Sequence, residues 1–227
     1  MTIALRYAVR SDVGLLREGN EDSAYAGPHL LAIADGMGGH AAGEVASAVA
    51  ISALAPLDTA DMTGPDMLKA LSDAVRQANA SLHEITQSDP STEGMGTTLT
   101  ALLWSGDQVA LCHIGDSRSY LLRDGAFYQI THDHTLVQSL VDDGRLTKEA
   151  AASHPQRSLV MRALQSSIPA EPRPRFKPTT RPFAFPTVVV MPSSAQSSFA
   201  PTCFTVASAS LRSPTPRSRS LDISTGS

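Results

Sequence analysis

Along residues 1–164 apolar positions recur with the periods of regular structure, and over residues 165–227 they do not. Residues 5–13 read as a strand, and the run Leu30-Leu31-Ala32-Ile33-Ala34 as a short strand buried on both faces. The Ala-rich stretch 41–54, with Val45, Val49 and Ile51, predicts a buried helix. Leu68, Leu71, Val75, Ala78, Leu82 and Ile85 step by three or four, the pattern of an amphipathic helix. After Gly94-Met95-Gly96 the pattern turns to strands at 97–104, 108–114, 119–123 and 126–130. Their breaks, Ser105-Gly106-Asp107 and Asp124-Gly125, are of hairpin size. Two short helices follow at 134–141 and 147–152. The order β, α, α and then a β-meander predicts an α+β fold with mostly antiparallel sheet.

Charge divides the chain at the same place. Residues 165–227 carry seven basic side chains against two acidic ones, a net +5, which leaves −9 on residues 1–164 of a whole-chain −4. Ten of the 15 prolines but one of the 15 glycines fall in this tail, and Ser and Thr fill 20 of its positions. Prolines this close break helices and central strands alike, so composition predicts a disordered tail. The net charge excludes a nucleic-acid binder by electrostatics. Cys112 and Cys203 form no metal-ligating or disulfide pattern and fit a reducing compartment. No apolar stretch has the length of a signal peptide or a membrane span, so the expected location is the cytoplasm.

Three acidic clusters sit where strands end: Arg17-Glu18-Gly19-Asn20-Glu21-Asp22, Asp35-Gly36-Met37-Gly38-Gly39-His40 and His113-Ile114-Gly115-Asp116-Ser117-Arg118. Taken singly, each also reads as a turn. Converging, they would make an oxygen-rich site that suits Mg²⁺ or Mn²⁺ rather than zinc. His113, inside a strand, reads as structural.

In order and spacing, Arg17-x-x-Asn-Glu-Asp22, Asp35-Gly-Met-Gly-Gly-His40, Gly96-Thr-Thr98, His113-Ile-Gly-Asp-Ser-Arg118, Thr131-His-Asp-His134 and His154-Pro-Gln-Arg157 resemble the motifs of bacterial PP2C-type (PPM) metal-dependent protein serine/threonine phosphatases. The resemblance covers residues 5–164. It implies a four-layer α-β-β-α sandwich, incomplete at its C-terminus, with a phosphatase domain over 1–164. It also implies a binuclear Mn²⁺ or Mg²⁺ centre, in which Asp35 bridges the metals and the Gly36 carbonyl is a ligand. Glu21 and Asp22 match the acidic pair near the first metal, and Asp116 a position that helps hold a weaker third one. Arg17 matches the arginine that grips the substrate phosphate, and its planar fork suits two phosphate oxygens. His40 is the candidate proton donor to the leaving serine or threonine oxygen.

The implied partners are phosphoserine and phosphothreonine proteins, with a serine/threonine kinase and its substrates among them, and the implied state is a monomer. After Arg162-Ala-Leu164 the resemblance stops: Gln165 stands where the family has Gly, and no Ser-Asp-Gly or Asp-Asn segment follows. This break reads as a shifted reading frame or a separate extension. On that reading Asp35, Glu21 and Asp22 hold at most one metal ion, weakly. The alternative function is a non-catalytic module that binds metal or phosphoprotein.

Overall fold

The computed structural model describes residues 2–11, 19–38, 42–59, 62–106, 108–165, 175–176, 187–191 and 203–212. Twelve strands and four helices lie among them: β1 (Thr2–Ser11), β2 (Asp22–Ala26), β3 (Leu30–Met37), α1 (Ala42–Leu54), α2 (Gly64–Ser88), β4 (Gly96–Thr97), β5 (Leu99–Ser105), β6 (Gln108–Ile114), β7 (Arg118–Arg123), β8 (Ala126–Gln129), α3 (Leu136–Asp142), α4 (Lys148–Ala152), β9 (Leu164–Gln165), β10 (Arg175–Phe176), β11 (Thr187–Met191) and β12 (Cys203–Arg212). The α+β class and the antiparallel pairing agree with the sequence pattern. No helix among the described residues is long and apolar enough to cross a membrane.

Helix α2 forms where the period of 3.6 predicts it. Thr63 caps its N-terminus by accepting the Asp66 N–H, and Pro65 sits in the first turn, where its missing N–H costs nothing. Met67, Leu71, Val75, Ala78 and Leu82 are fully buried on one face. Lys69, Asp73 and Arg76 pair with one another on the opposite, exposed face. Each large side chain buried here contributes roughly 1.5–3 kcal/mol. Helix α1 instead turns a stripe of small residues inward, Ala42, Gly43, Ala46, Ser47 and Ala50, with Leu54. Val45, Val49 and Ile51 are only partly buried at the edge of that contact. Small side chains let α1 lie close upon β2 and β3.

Both helices cover one face of a seven-stranded sheet, in which β2 and β5 flank β3 and the path runs β10-β6-β5-β3-β4-β9. Strand β3 is buried on both faces, as its unbroken apolar run predicts. Leu30, Ala32 and Ala34 pack with the helices. Leu31 and Ile33 pack on the other face with Leu102, Ala24, Ala26, Val109 and Leu111. Strand β2 has no counterpart in the sequence pattern.

The second sheet runs β1-β12-β11-β7-β8, and β1 and β12 lie against β2 and β3. Here the structure departs from the disordered tail that composition predicts. Strand β12 pairs with all of β1, from Thr2 opposite Arg212 to Ser11 opposite Cys203. Strand β11 joins β12 to β7. The prolines of the tail fall outside these stretches, and Thr187-Val188-Val189-Val190 is β-branched throughout, so local propensity favours pairing wherever proline is absent.

The tail strands thus supply the middle of a sheet whose other members precede residue 130. Proline at Val206, between Ala8 and Val189, removes a ladder donor. Val206→Pro is expected to cost about 1–3 kcal/mol, read as a lower urea midpoint; an unchanged midpoint would mean that β12 does not support the fold.

Candidate active site

Antiparallel register decides which of the acidic residues meet. Asp22 stands directly opposite Asp35 across β2 and β3. On the other edge of β3 the register runs from Leu30 opposite Leu103 to Ile33 opposite Thr100, and resumes with Gly36 opposite Thr97. That places Thr98 opposite Asp35, and the β5–β6 register places Gly115 beyond Thr98. Three successive rows therefore cross the face turned away from the helices. Ala26, Leu31, Leu102 and Leu111 form an apolar row, Ala24, Ile33, Thr100 and His113 a mixed one, and Asp22, Asp35, Thr98 and Gly115 a polar one. The face grades from hydrocarbon to carboxylate over three rows.

The polar row is held by hydroxyls. Asp35 N–H donates to Thr98 Oγ1 at 3.1 Å. The Asp35 carbonyl accepts Thr98 N–H at 2.9 Å and Thr97 Oγ1–H at 3.0 Å. Asp35 is 8% exposed and Thr98 1%. Two carboxylates opposite one another repel, and a divalent cation bound between them would offset that repulsion.

Glu21 does not join them. Its carbonyl accepts Gly36 N–H at 3.2 Å and Ser47 Oγ–H at 2.6 Å. Its carboxylate lies against Gly43, so close that a Cβ there would come within 2.1 Å of Oε2. This is the first turn of α1, where the helix dipole favours negative charge. Gly36 is similarly enclosed: an added Cβ would meet the Gly43 carbonyl at 2.1 Å and the Glu21 carbonyl at 2.6 Å. Close backbone approach requires glycine at Gly36, whereas at Gly43 the nearest obstacle is the Glu21 carboxylate itself.

Asp116, 8% exposed, lies just past β6 on the loop that follows. Arg118, where β7 begins, forms a fork with Asp133: Nε lies 2.9 Å from both carboxylate oxygens, and Nη2 lies 2.5 Å from Oδ2. Burial by itself would lower the Arg118 pKa, but the hydrogen bonds and charge of Asp133 raise it above the ordinary arginine value. Arg118 is thereby engaged within the fold. Arg17 and His40 lie outside the described residues.

The structure thus brings Asp22 and Asp35 together, with Gly36 next in the chain, and turns Glu21 toward the helices. Among the described residues no three His, Cys, Asp or Glu side chains are grouped so as to hold a metal ion. The all-oxygen donor set of Asp22 and Asp35 fits one hard divalent cation; the described side chains do not assemble a binuclear ligand set. The motifs Gly96-Thr-Thr98 and Gly115-Asp-Ser-Arg118 were visible in the sequence, but the tasks of Thr98, Ser117, Arg118 and Asp133 were not. Only the strand register reveals them.

These features place an acidic row at one end of an antiparallel α+β fold of two sheets. Residues 20–165 match the family model described as Protein phosphatase 2C, and the chain belongs to that family. The serine/threonine protein phosphatase PstP of Mycobacterium tuberculosis (strain ATCC 25618 / H37Rv) is 62% identical over 164 residues, 72% of this chain and 32% of that protein. The serine/threonine phosphatase stp of Listeria monocytogenes serotype 4b (strain F2365) is 36% identical over 163 residues, 68% of this chain and 65% of that protein. The chain thus spans about a third of the first relative and just under two thirds of the second. Among solved structures, that of M. tuberculosis PstP/Ppp superposes with a TM-score of 0.81 at 46% identity, covering 92% of this chain and 100% of that one. The PstP catalytic domain in complex with two manganese ions gives a TM-score of 0.77 at 44% identity, covering 92% and 98%.

His113 has the structural part that its place in a strand predicts. Nδ1 lies 2.9 Å from Thr100 Oγ1, Nε2 lies 3.0 Å from the His132 carbonyl, and the ring stacks on His134 at 5.1 Å. Burial, and then the neighbouring His134, hold its pKa down to about 4 from 6.5, against the upward pull of Asp133. Between those values the unfolded chain binds more protons than the folded one. The stability that neutral His113 contributes is therefore complete above pH 6.5 and is lost as the pH falls toward 4. His113→Gln is expected to remove roughly 1–3 kcal/mol of the acid-side loss in urea titrations at pH 7 and pH 4. The same loss in both proteins would place the acid sensitivity elsewhere.

Proposed function

We propose that this chain hydrolyses phosphoserine and phosphothreonine in proteins with the help of Mn²⁺ or Mg²⁺. The observation that carries the reading is the row Asp22–Asp35–Thr98, within a chain of the protein phosphatase 2C family. Relatives of that family are named serine/threonine phosphatases, and one is described with two manganese ions.

In this reading Asp22 and Asp35 hold the cation, with the Gly36 carbonyl beside them and Asp116 serving a more weakly held ion. Glu21 acts through water, since its carboxylate faces α1. A hard divalent cation, when bound, lowers the pKa of coordinated water and so supplies a nucleophile near neutral pH. The chain's own residues do the rest. Arg17 binds two phosphate oxygens and offsets their charge as phosphorus is attacked. His40 gives a proton to the serine or threonine oxygen as its bond to phosphorus breaks. One water is consumed, and inorganic phosphate and the free hydroxyl leave. Arg118 takes no part in gripping phosphate, because Asp133 already occupies its fork.

The substrates are phosphoproteins, a serine/threonine kinase and its targets among them, met by a monomer in the cytoplasm. The division after Leu164 into a phosphatase domain and a tail from a shifted frame belongs to the same reading. It is supported by the family match ending at residue 165 and by the change of composition there. A Ser-Asp-Gly segment in another frame of the coding DNA beyond codon 164 is the expected finding.

The central experiment is hydrolysis of a phosphothreonine peptide by the full chain with and without Mn²⁺. Turnover is expected to require Mn²⁺ and to fall at least about a hundredfold in Asp35→Asn, because outer-sphere changes alone reach 10–100-fold. Metal or phosphopeptide binding without turnover would establish the non-catalytic alternative instead.

A further inference from the structure

Asp116 sits in a loop whose other members are each fastened elsewhere. Gly115 N–H donates to His134 Nδ1 at 3.1 Å, and its carbonyl accepts His134 N–H at 2.8 Å. The Ser117 carbonyl accepts Thr100 Oγ1–H at 3.1 Å, and Ser117 Oγ lies 2.8 Å from Thr98 Oγ1. Arg118 is forked by Asp133. Of these ties only the one from Ser117 leads to the other acidic loop, because Thr98 Oγ1 is also the acceptor of Asp35 N–H. One hydroxyl thus touches the Asp35 backbone on one side and the neighbour of Asp116 on the other.

That junction has little freedom. Ser117 is fully buried and Thr98 almost so, and a buried hydroxyl left without a partner costs about 1–3 kcal/mol. Thr98 is also blocked sideways: Gly115, at φ +103°, lies so near that an added Cβ would come within 2.6 Å of Thr98 Cβ and Cγ2. The methyl side of Thr98 is fixed by packing and its hydroxyl side by two hydrogen bonds. A shift of Ser117 would therefore move Thr98 or break its bond.

We infer that Ser117 is a positioning residue which, through the Thr98 hydroxyl, sets where Asp116 stands relative to Asp35. The inference rests on the metal-dependent reading above, in which both carboxylates serve cations. Ser117 touches neither substrate nor cation; it holds the loop that carries Asp116.

The test is direct Mn²⁺ binding to the full chain, read from the electron paramagnetic resonance signal of free Mn²⁺. It compares wild type, Ser117→Ala, Asp116→Asn and the double variant. Ser117→Ala is expected to weaken binding about tenfold, in the range seen for second-layer partners of metal ligands, and clearly less in the Asp116→Asn background. No loss, or an equal loss in both backgrounds, overturns the inference. Thr98→Val, which keeps the shape but not the hydroxyl, carries the same test should Ser117→Ala fail to fold, and Thr98→Ser is expected to retain binding. A second readout needs no metal: amide hydrogen exchange at Asp35 is expected to quicken at least about tenfold in Ser117→Ala, a loss of about 1.4 kcal/mol of local protection, while Leu71 and Val75 are unchanged. If wild type binds no Mn²⁺, the metal reading fails by itself, and exchange at Asp35 decides the positioning role; an unaltered Asp35 rate overturns it.

Discussion

Two like charges facing each other across neighbouring strands form the constraint around which this fold is organised. The Asp22–Asp35 pair is unfavourable in isolation, and an ordinary sheet would slide or splay to separate the two carboxylates. Sliding is prevented from three sides. The apolar rows behind, through Leu31 and Ile33, fix the register, because a slip of one residue would exchange the two faces of a strand buried on both. The Thr97 and Thr98 hydroxyls take hold of the Asp35 backbone. Gly36, Gly43 and Glu21 are packed backbone to backbone, with no volume left for adjustment. The two carboxylates are thus held opposite one another by the strands that carry them.

Such a site needs its other charges kept out of the way, and the fold does this by local pairing. Arg118, two residues from Asp116, would compensate that carboxylate if its guanidinium were available. Asp133 occupies it, with Gln129 bonded to the same carboxylate. Glu21, next to Asp22, is turned to the positive end of α1. Arg118 and Glu21, the charged chain neighbours of Asp116 and Asp22, are thus each held against other parts of the fold.

What the sequence disclosed follows from the range of the forces involved. Helix α2 and strand β3 were legible because burial writes itself into local periodicity, every third or fourth residue in one and an unbroken run in the other. Strand β2 was not, since Asp22-Ser23-Ala24-Tyr25-Ala26 is short, small and only half-buried, and its pattern resembles a loop. Missing β2 also hid the separation of Glu21 from Asp22, because the strand begins at Asp22 and leaves Glu21 just outside it, against α1. The motif residues of the site were all visible, yet their jobs were not. Thr98 owes its task to standing opposite Asp35, and that is a fact about two strands that are sixty-three positions apart in the chain. The tail misled through its average, because prolines dominate its composition while β11 and β12 lie between them.

The pairing of β1 with β12 ties the first of the described strands to the last of them. At a synthesis rate of about 5–20 residues per second, β1 waits on the order of ten to forty seconds before its partner exists. During that interval its hydrogen-bonding edge is open, and so is that of β7, whose neighbour β11 is also late. Helices α1 and α2 and strands β2 to β6 can assemble in the meantime from contacts close in sequence. Closure of the second sheet requires the β1–β12 pairs, some two hundred residues apart, the kind of contact that retards folding most. The acid-lined half can therefore draw on contacts close in sequence, whereas the outer sheet depends on the late strands β11 and β12.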